Sequence, residues 1–231
     1  MPHKLIGILA GMGPRSTAPF VDMVVDECQR QYGATDDVDF PPMMIYSLPT
    51  PFYVDRPIDH AAMEATICDG LRKLERTGVQ LIAMPCNSAH IYYDWLAACV
   101  HVPLLNMVEL ALQAIPAISQ RVALLATRVT ATSNLYQSAL EAAGHAVLYD
   151  EALQQRVDEL LLAVKSSLDR QAAAGLWADL IAGLRDRGAS MALLACTDLN
   201  VISMSPAPAL AVVDATRELA VATVRSWRAL S

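Results

Sequence analysis

The sequence predicts an α/β fold built from two similar halves. Three observations carry this: short continuous apolar runs recur along the chain, the stretches between them have helical periodicity, and a unit of glycine, apolar run and cysteine occurs twice. The runs are residues 5–10, 43–48, 79–84, 103–106, 122–126, 146–149, 191–196 and 210–213. Each is short and mostly apolar, as expected of a strand covered on both faces in a mainly parallel sheet. The first enters Gly11-Met12-Gly13-Pro14-Arg15-Ser16-Thr17, a turn that opens a helix whose Phe20, Val21, Val24, Val25 and Cys28 share one face. The second is bracketed by loops 33–42 and 47–57, the latter stiffened by Pro49, Pro51 and Pro57; each is a binding loop or a solvated connector. A second amphipathic helix carries Leu153, Val157, Leu160, Leu161 and Val164 on one face, and residues 214–230 read as a last helix.

The repeat refines this. Gly70-Leu71-Arg72 closes a helical stretch, Gly78 follows, and an apolar run leads to Cys86; Gly183-Leu184-Arg185, Gly188 and another run lead to Cys196. Leu124-Leu125-Ala126 runs into Thr127-Arg128-Val129-Thr130 as Ile8-Leu9-Ala10 runs into the glycine turn. Two matches in the same order imply a duplicated architecture: residues 1–100 with Cys86, residues 101–212 with Cys196, and a helix over 213–231 that returns to the first half. Such halves are expected to be related by a pseudo-twofold axis with a cleft between them. Parallel sheets present their functional residues at the C-terminal ends of strands.

Composition narrows the function. The chain has 231 residues, 54% apolar and 18% charged, with a net charge of -7, and its mean hydropathy is +0.32. It can bury a core and lacks the signature of disorder. Without a basic patch it is not expected to bind nucleic acid or an anionic membrane surface. No apolar run reaches the roughly 20 residues of a membrane span, so the expected location is the cytoplasm. The five cysteines are odd in number, widely spaced and without CxxC, which argues against a disulfide framework or a structural zinc site. Cys28, Cys68 and Cys99 fall in helical apolar patterns and read as core residues.

Cys86 and Cys196 differ from those three. Each ends an apolar run and precedes small polar residues, Asn87-Ser88 and Thr197-Asp198, that favour helix N-caps; the N–H groups of a first turn stabilise a thiolate. Two matched thiols suit removal of a proton on one face of a carbon and delivery on the other, which is racemisation. Acyl transfer would need a His partner; His90 follows Cys86 by one helical turn, Cys196 has no such His, and His90 reads as a supporting residue. The glycine turn lacks the third glycine of a dinucleotide fingerprint, and the second run lacks its acidic partner, so the turn is read as a carboxylate site rather than a nucleotide site. With so few cations, Arg56, Arg128 and Lys165 are the candidate partners for a carboxylate.

These motifs resemble the aspartate/glutamate racemases that work without pyridoxal phosphate. Gly7-Ile8-Leu9-Ala10-Gly11-Met12-Gly13-Pro14 is similar to the family's glycine motif, Pro85-Cys86-Asn87-Ser88-Ala89-His90 to its first cysteine motif, and Cys196-Thr197-Asp198-Leu199 to its second. Ala126-Thr127-Arg128-Val129-Thr130 and Val213-Asp214-Ala215-Thr216 extend the likeness over nearly the whole chain. The resemblance implies an amino acid racemase of the aspartate branch, with no cofactor and no metal, acting as a homodimer on a small amino acid. Cys86 and Cys196 would be the two acid–base groups. Met12, Gly13, Asn87, Ser88, Thr197 and Asp198 would hold the α-carboxylate, Arg56 and Lys165 the distal one, and Thr130 would assist. Ser88 and Asp198 stand where the family usually has Thr and Glu, and Ser47-Leu48-Pro49-Thr50-Pro51-Phe52 departs from the aspartate-specific pattern. Glutamate, neutral amino acids and a maleate-type isomerisation are therefore alternatives within the family, and a carboxylate-binding module is one outside it.

Overall fold

The computed structural model describes residues 4–52, 57–166, 170–201 and 210–230. They form two compact units, Met1–Asn106 with Leu219–Ser231, and Met107–Glu218. In chain order the first contains β1 (Ile6–Ala10), α1 (Thr17–Tyr32), β2 (Met43–Ser47), α2 (His60–Glu75), β3 (Leu81–Ala83) and α3 (Tyr93–Ala97). Then come α4 (Met107–Gln113), β4 (Arg121–Ala126), α5 (Arg128–Thr132), α6 (Gln137–Ala142), β5 (Ala146–Leu148), α7 (Glu151–Ser166), α8 (Arg170–Asp186), β6 (Met191–Ala195) and β7 (Ala211–Asp214). The last helix, α9 (Ala215–Ala229), begins in the second unit and belongs to the first from Leu219 onward.

Both sheets are parallel. The first has the order β2-β1-β3 and the second β5-β4-β6-β7. The opening strand of each unit thus sits in the interior, with the strand that leads to a cysteine beside it: Ile8 pairs with Ala83, and Ala126 with Ala195. β1, β3 and β6 are buried at every residue, as their unbroken apolar runs require. Helices complete the two cores. Ile67, Leu71 and Leu74 of α2 meet Leu9 and Ile82 in one; Leu153, Val157 and Leu160 of α7 meet Trp177 and Leu184 of α8 in the other. Within the first unit, Trp227 Nε1 donates to the Lys4 carbonyl at 2.8 Å and Gln31 Nε2 to the Val221 carbonyl at 3.0 Å, which ties the C-terminal helix to β1 and α1.

Local chemistry explains several element ends. Asp59 caps α2 by accepting the Ala62 N–H at 3.0 Å. Gly78 and Gly188, the repeat glycines, have φ of +86° and +76° and turn the chain out of α2 and α8 into the following strand.

Three expectations need correction. Residues 103–106 do not make a named strand: Leu104 forms a single bridge to Ile82, flanked by bonds from Ile82 N to Pro103 O (2.8 Å) and Leu105 N to Ile82 O (2.9 Å), before the chain turns into α4. On α1 the buried face is Phe20, Met23, Val24, Glu27 and Cys28, with Val21 and Val25 only half-buried. Cys68 and Cys99 are joined in a disulfide, with Cα atoms 5.9 Å apart and a sequence separation of 31. Spacing rules seek local cysteine motifs; this pair is brought together by the packing of α2 against α3, which sequence spacing does not encode.

Candidate active site

In each unit two turns leave the C-terminal ends of adjacent strands. In the first, β1 gives way to the glycine turn and β3 to Cys86. Pro14–Ser16 forms a single 3-10 turn ahead of α1, the Thr17 hydroxyl accepts from Gly11 N at 3.2 Å, and Ser16 Oγ donates to Gly13 O at 2.8 Å. The Met12–Gly13 peptide is cis. Cys86, half-buried and not in a disulfide, leads into a 3-10 turn over Ser88–Tyr92 and then α3. Asn87 occupies the N-cap position without a capping bond; its φ of −59° and ψ of −45° are already helical, whereas a capping side chain needs extended backbone. The N-cap bond expected of Asn87 is therefore not made by this side chain.

His90 anchors the Cys86 turn. Its ring is fully buried and stacks on Tyr93 with centroids 5.7 Å apart. Nδ1 lies 2.8 Å from the Cys86 carbonyl oxygen and Nε2 3.5 Å from that of Leu105. Burial holds its pKa below the ordinary value. The neutral ring has one N–H, and the shorter distance assigns it to Nδ1, donating to Cys86 O. Behind it, the Tyr92 hydroxyl and His60 Nδ1 are 2.7 Å apart; burial first, then the negative charges of Glu64 and Cys86, push the Tyr92 phenol up. Tyr92 and His60 were not singled out from sequence, since an aromatic at helical spacing reads as core.

In the second unit β4 leads to Thr127 and β6 to Cys196. Thr127 caps α5, accepting from Thr130 N at 3.3 Å, and the two hydroxyls are 3.0 Å apart; Thr130 is fully buried. Cys196 is buried, is not in a disulfide, and is followed by a 3-10 turn over Thr197–Val201. Thr197 and Asp198 are both buried, and Asp198 Oδ2 pairs with Lys165 Nζ at 3.4 Å. The structure thus brings together Cys196, Thr197, Asp198 and Lys165, with α7 packed on the cysteine turn. Asn200, 2% exposed, has one end of its amide 3.0 Å from both Asp214 carboxylate oxygens and the other 2.7 Å from Thr216 Oγ1; these partners assign the nitrogen, as donor, to the Asp214 end and the oxygen, as acceptor, to the Thr216 end. Asp214 also accepts from the backbone N–H of Thr216 at 2.9 Å, and burial raises its pKa to about 6. Neither Asn200 nor the role of Asp214 was legible in sequence, where Asn200 is an ordinary turn residue.

Arg128 is not available as a carboxylate fork: it is already bound to Glu151 at 2.8 Å and Asp158 at 2.8 Å. Arg56 lies outside the described residues. Burial pushes the Cys28 thiol up, as expected of a core cysteine. Among the described residues no group of three or more His, Cys, Asp and Glu is placed to hold a metal ion, and no helix is long and apolar enough to cross a membrane.

Residues 9–223 match the Asp/Glu/Hydantoin racemase family, and the chain belongs to it. It is 44% identical to the broad specificity amino-acid racemase RacX of Bacillus subtilis (strain 168), over 97% of this chain and 99% of that one. Among solved structures it is similar to the aspartate racemase of Picrophilus torridus, with a TM-score of 0.84 and 27% identity over 97% of this chain and 94% of that one. The fold also matches a glutamate racemase of Bacillus anthracis, with a TM-score of 0.70 and 14% identity over 99% and 83% of the two chains.

Proposed function

We propose that this racemase interconverts the enantiomers of α-amino acids by a two-base reaction of Cys86 and Cys196, without a cofactor, and that its range extends beyond aspartate to amino acids with other side chains. The observation that carries the chemistry is the equivalence of the two thiols. Neither is in a disulfide, each follows the strand beside its unit's opening strand, and each precedes a 3-10 turn. One cysteine, as thiolate, takes the α-proton and leaves a carbanion; the other, as thiol, gives its proton to the opposite face and becomes the thiolate. The thiolate and thiol have then changed places, ready for the opposite enantiomer. Met12, Gly13, Asn87, Ser88 and Thr197 hold the α-carboxylate in this reading, and Thr130 supports them.

The breadth of range rests on Lys165. A dicarboxylate-specific site needs cations reserved for the distal carboxylate, and here Lys165 is engaged by the buried Asp198. An acidic side chain would have to share this ammonium with Asp198 and bring a second carboxylate beside it, which is unfavourable. The 44% identity to a broad specificity racemase supports the same range. Aspartate-selective racemisation is the second reading, supported by the likeness to an aspartate racemase. Chiral chromatography of aspartate, glutamate, alanine, serine and lysine after incubation with the protein, with no cofactor added, tests both. The expected result is loss of optical purity for neutral as well as acidic amino acids. Turnover of aspartate alone selects the second reading. Saturable binding with no racemisation makes the protein a carboxylate-binding module, and conversion of maleate to fumarate in place of racemisation makes it an isomerase of that type.

A further inference from the structure

Each cysteine is followed four residues later by a buried polar side chain, His90 after Cys86 and Asn200 after Cys196. The two are chemically unlike, yet they occupy one register in the two units. His90 donates across its 3-10 turn to the carbonyl of Cys86 itself, and its other nitrogen faces Leu105 on the segment that runs beside β3. Asn200 reaches Asp214 at the end of β7, the strand beside β6, where Asp214 stands opposite Leu194. Each side chain therefore ties the turn begun by the cysteine to the neighbouring parallel segment.

The second tie is the fuller one. Asn200, Asp214 and Thr216 are a closed network: both ends of the Asn200 amide are used, and Asp214 also caps the start of α9. Asn200 and Thr216 are 2% and 1% exposed. Burying polar groups costs free energy that their mutual hydrogen bonds offset, and an apolar side chain would fill such a place at less risk. A satisfied network of this kind fixes geometry. Here it fixes the far end of the turn whose near end carries the thiol, with Leu199 N bonded back to Cys196 O at 3.2 Å.

We propose that His90 and Asn200 are equivalent positioning residues, each setting the place of one reacting thiol by clamping its turn to the adjacent segment. This rests on the two-thiol reading. It predicts an effect on one face of the substrate at a time. In Asn200→Ala the step made by Cys196 becomes slower, so kcat falls tenfold or more with KM changed less than twofold. The α-deuterium isotope effect rises for the enantiomer whose proton Cys196 removes and not for its mirror image. His90→Asn gives the opposite asymmetry. Thr216→Val, which removes the hydroxyl that faces the Asn200 oxygen and Asp214, gives a weaker effect of the same sense as Asn200→Ala, and it carries the test if Asn200→Ala does not fold.

The experiment is racemisation of protiated and α-deuterated L- and D-alanine by the full chain and these variants, with Cys196→Ser alongside. The equilibrium constant of one makes kcat/KM fall equally for the two enantiomers, so the asymmetry is expected in the isotope effects, opposite in the two families of variants. Isotope effects that change equally or not at all for the two enantiomers, or losses in KM alone, overturn the positioning role. If Cys196→Ser itself racemises at the full rate, the two-thiol reading fails, an outcome separate from failure of this inference.

Discussion

Burial sets the charge of the polar residues that support both cysteines, and it does so with opposite consequences. Asp214 has its pKa raised to about 6 from 3.8. Below pH 4 the folded and unfolded chains both hold this proton; as pH rises the unfolded chain ionises first, so folding loses about 3 kcal/mol by the time pH passes 6. His90 works the other way, since its folded pKa is lowered: stability falls as pH drops below the ordinary value of 6.5 and the unfolded chain takes up a proton. In Asp214→Asn the His90 contribution remains and the Asp214 slope disappears, so urea unfolding between pH 4 and 7 should show a smaller loss of stability with rising pH than the native sequence does. Identical pH dependence in the two would contradict the burial assigned to Asp214. The Lys165–Asp198 pair makes a separate prediction at this scale. Asp198→Asn releases the lysine for a substrate carboxylate and should raise kcat/KM for aspartate relative to alanine severalfold; an unchanged ratio would detach the pair from specificity.

At the scale of elements, the strands were legible because each is a short, mostly apolar run, and β1, β3 and β6 have no exposed residue to break it. What sequence did not give was contact made across distance. Residues 103–106 carry the same apolar signal as a strand, yet a single bridge at Leu104 is all that forms before α4 begins. The Cys68–Cys99 disulfide joins two segments whose apolar patterns individually read as core. It makes a mass prediction: denatured, unreduced protein should take up three alkyl groups, at Cys28, Cys86 and Cys196, and five after reduction. Five without reduction would contradict the pairing. The repeat glycines make another. A Cβ at Gly188 would meet no atom within 4 Å, so Gly188→Ala costs only its left-handed backbone, about 1–2 kcal/mol, read as a fall of a few degrees in Tm. No fall would show that the turn readily adopts another conformation.

For the molecule as a whole, the duplicated pattern visible in sequence becomes two parallel sheets with their first strands in equivalent places. The cysteines were legible because they recur in register at strand ends. Asn200 and Asp214 were not, since an asparagine in a turn and an aspartate before a helix have ordinary local explanations and their pairing joins residues from different elements. Arg128 was misleading for the same reason: its partners Glu151 and Asp158 lie on α7, more than 20 residues away in sequence. The central claim is that two thiols share one proton-transfer reaction. Its most direct test is the incubation of L- and D-alanine in deuterated water with the native sequence, Cys86→Ser and Cys196→Ser, following chirality and α-deuterium together. The account predicts that the native protein racemises both enantiomers with solvent deuterium entering Cα, and that each single substitution lowers racemisation by at least a hundredfold. Full racemisation in either variant, with deuterium still entering from both enantiomers, would contradict it.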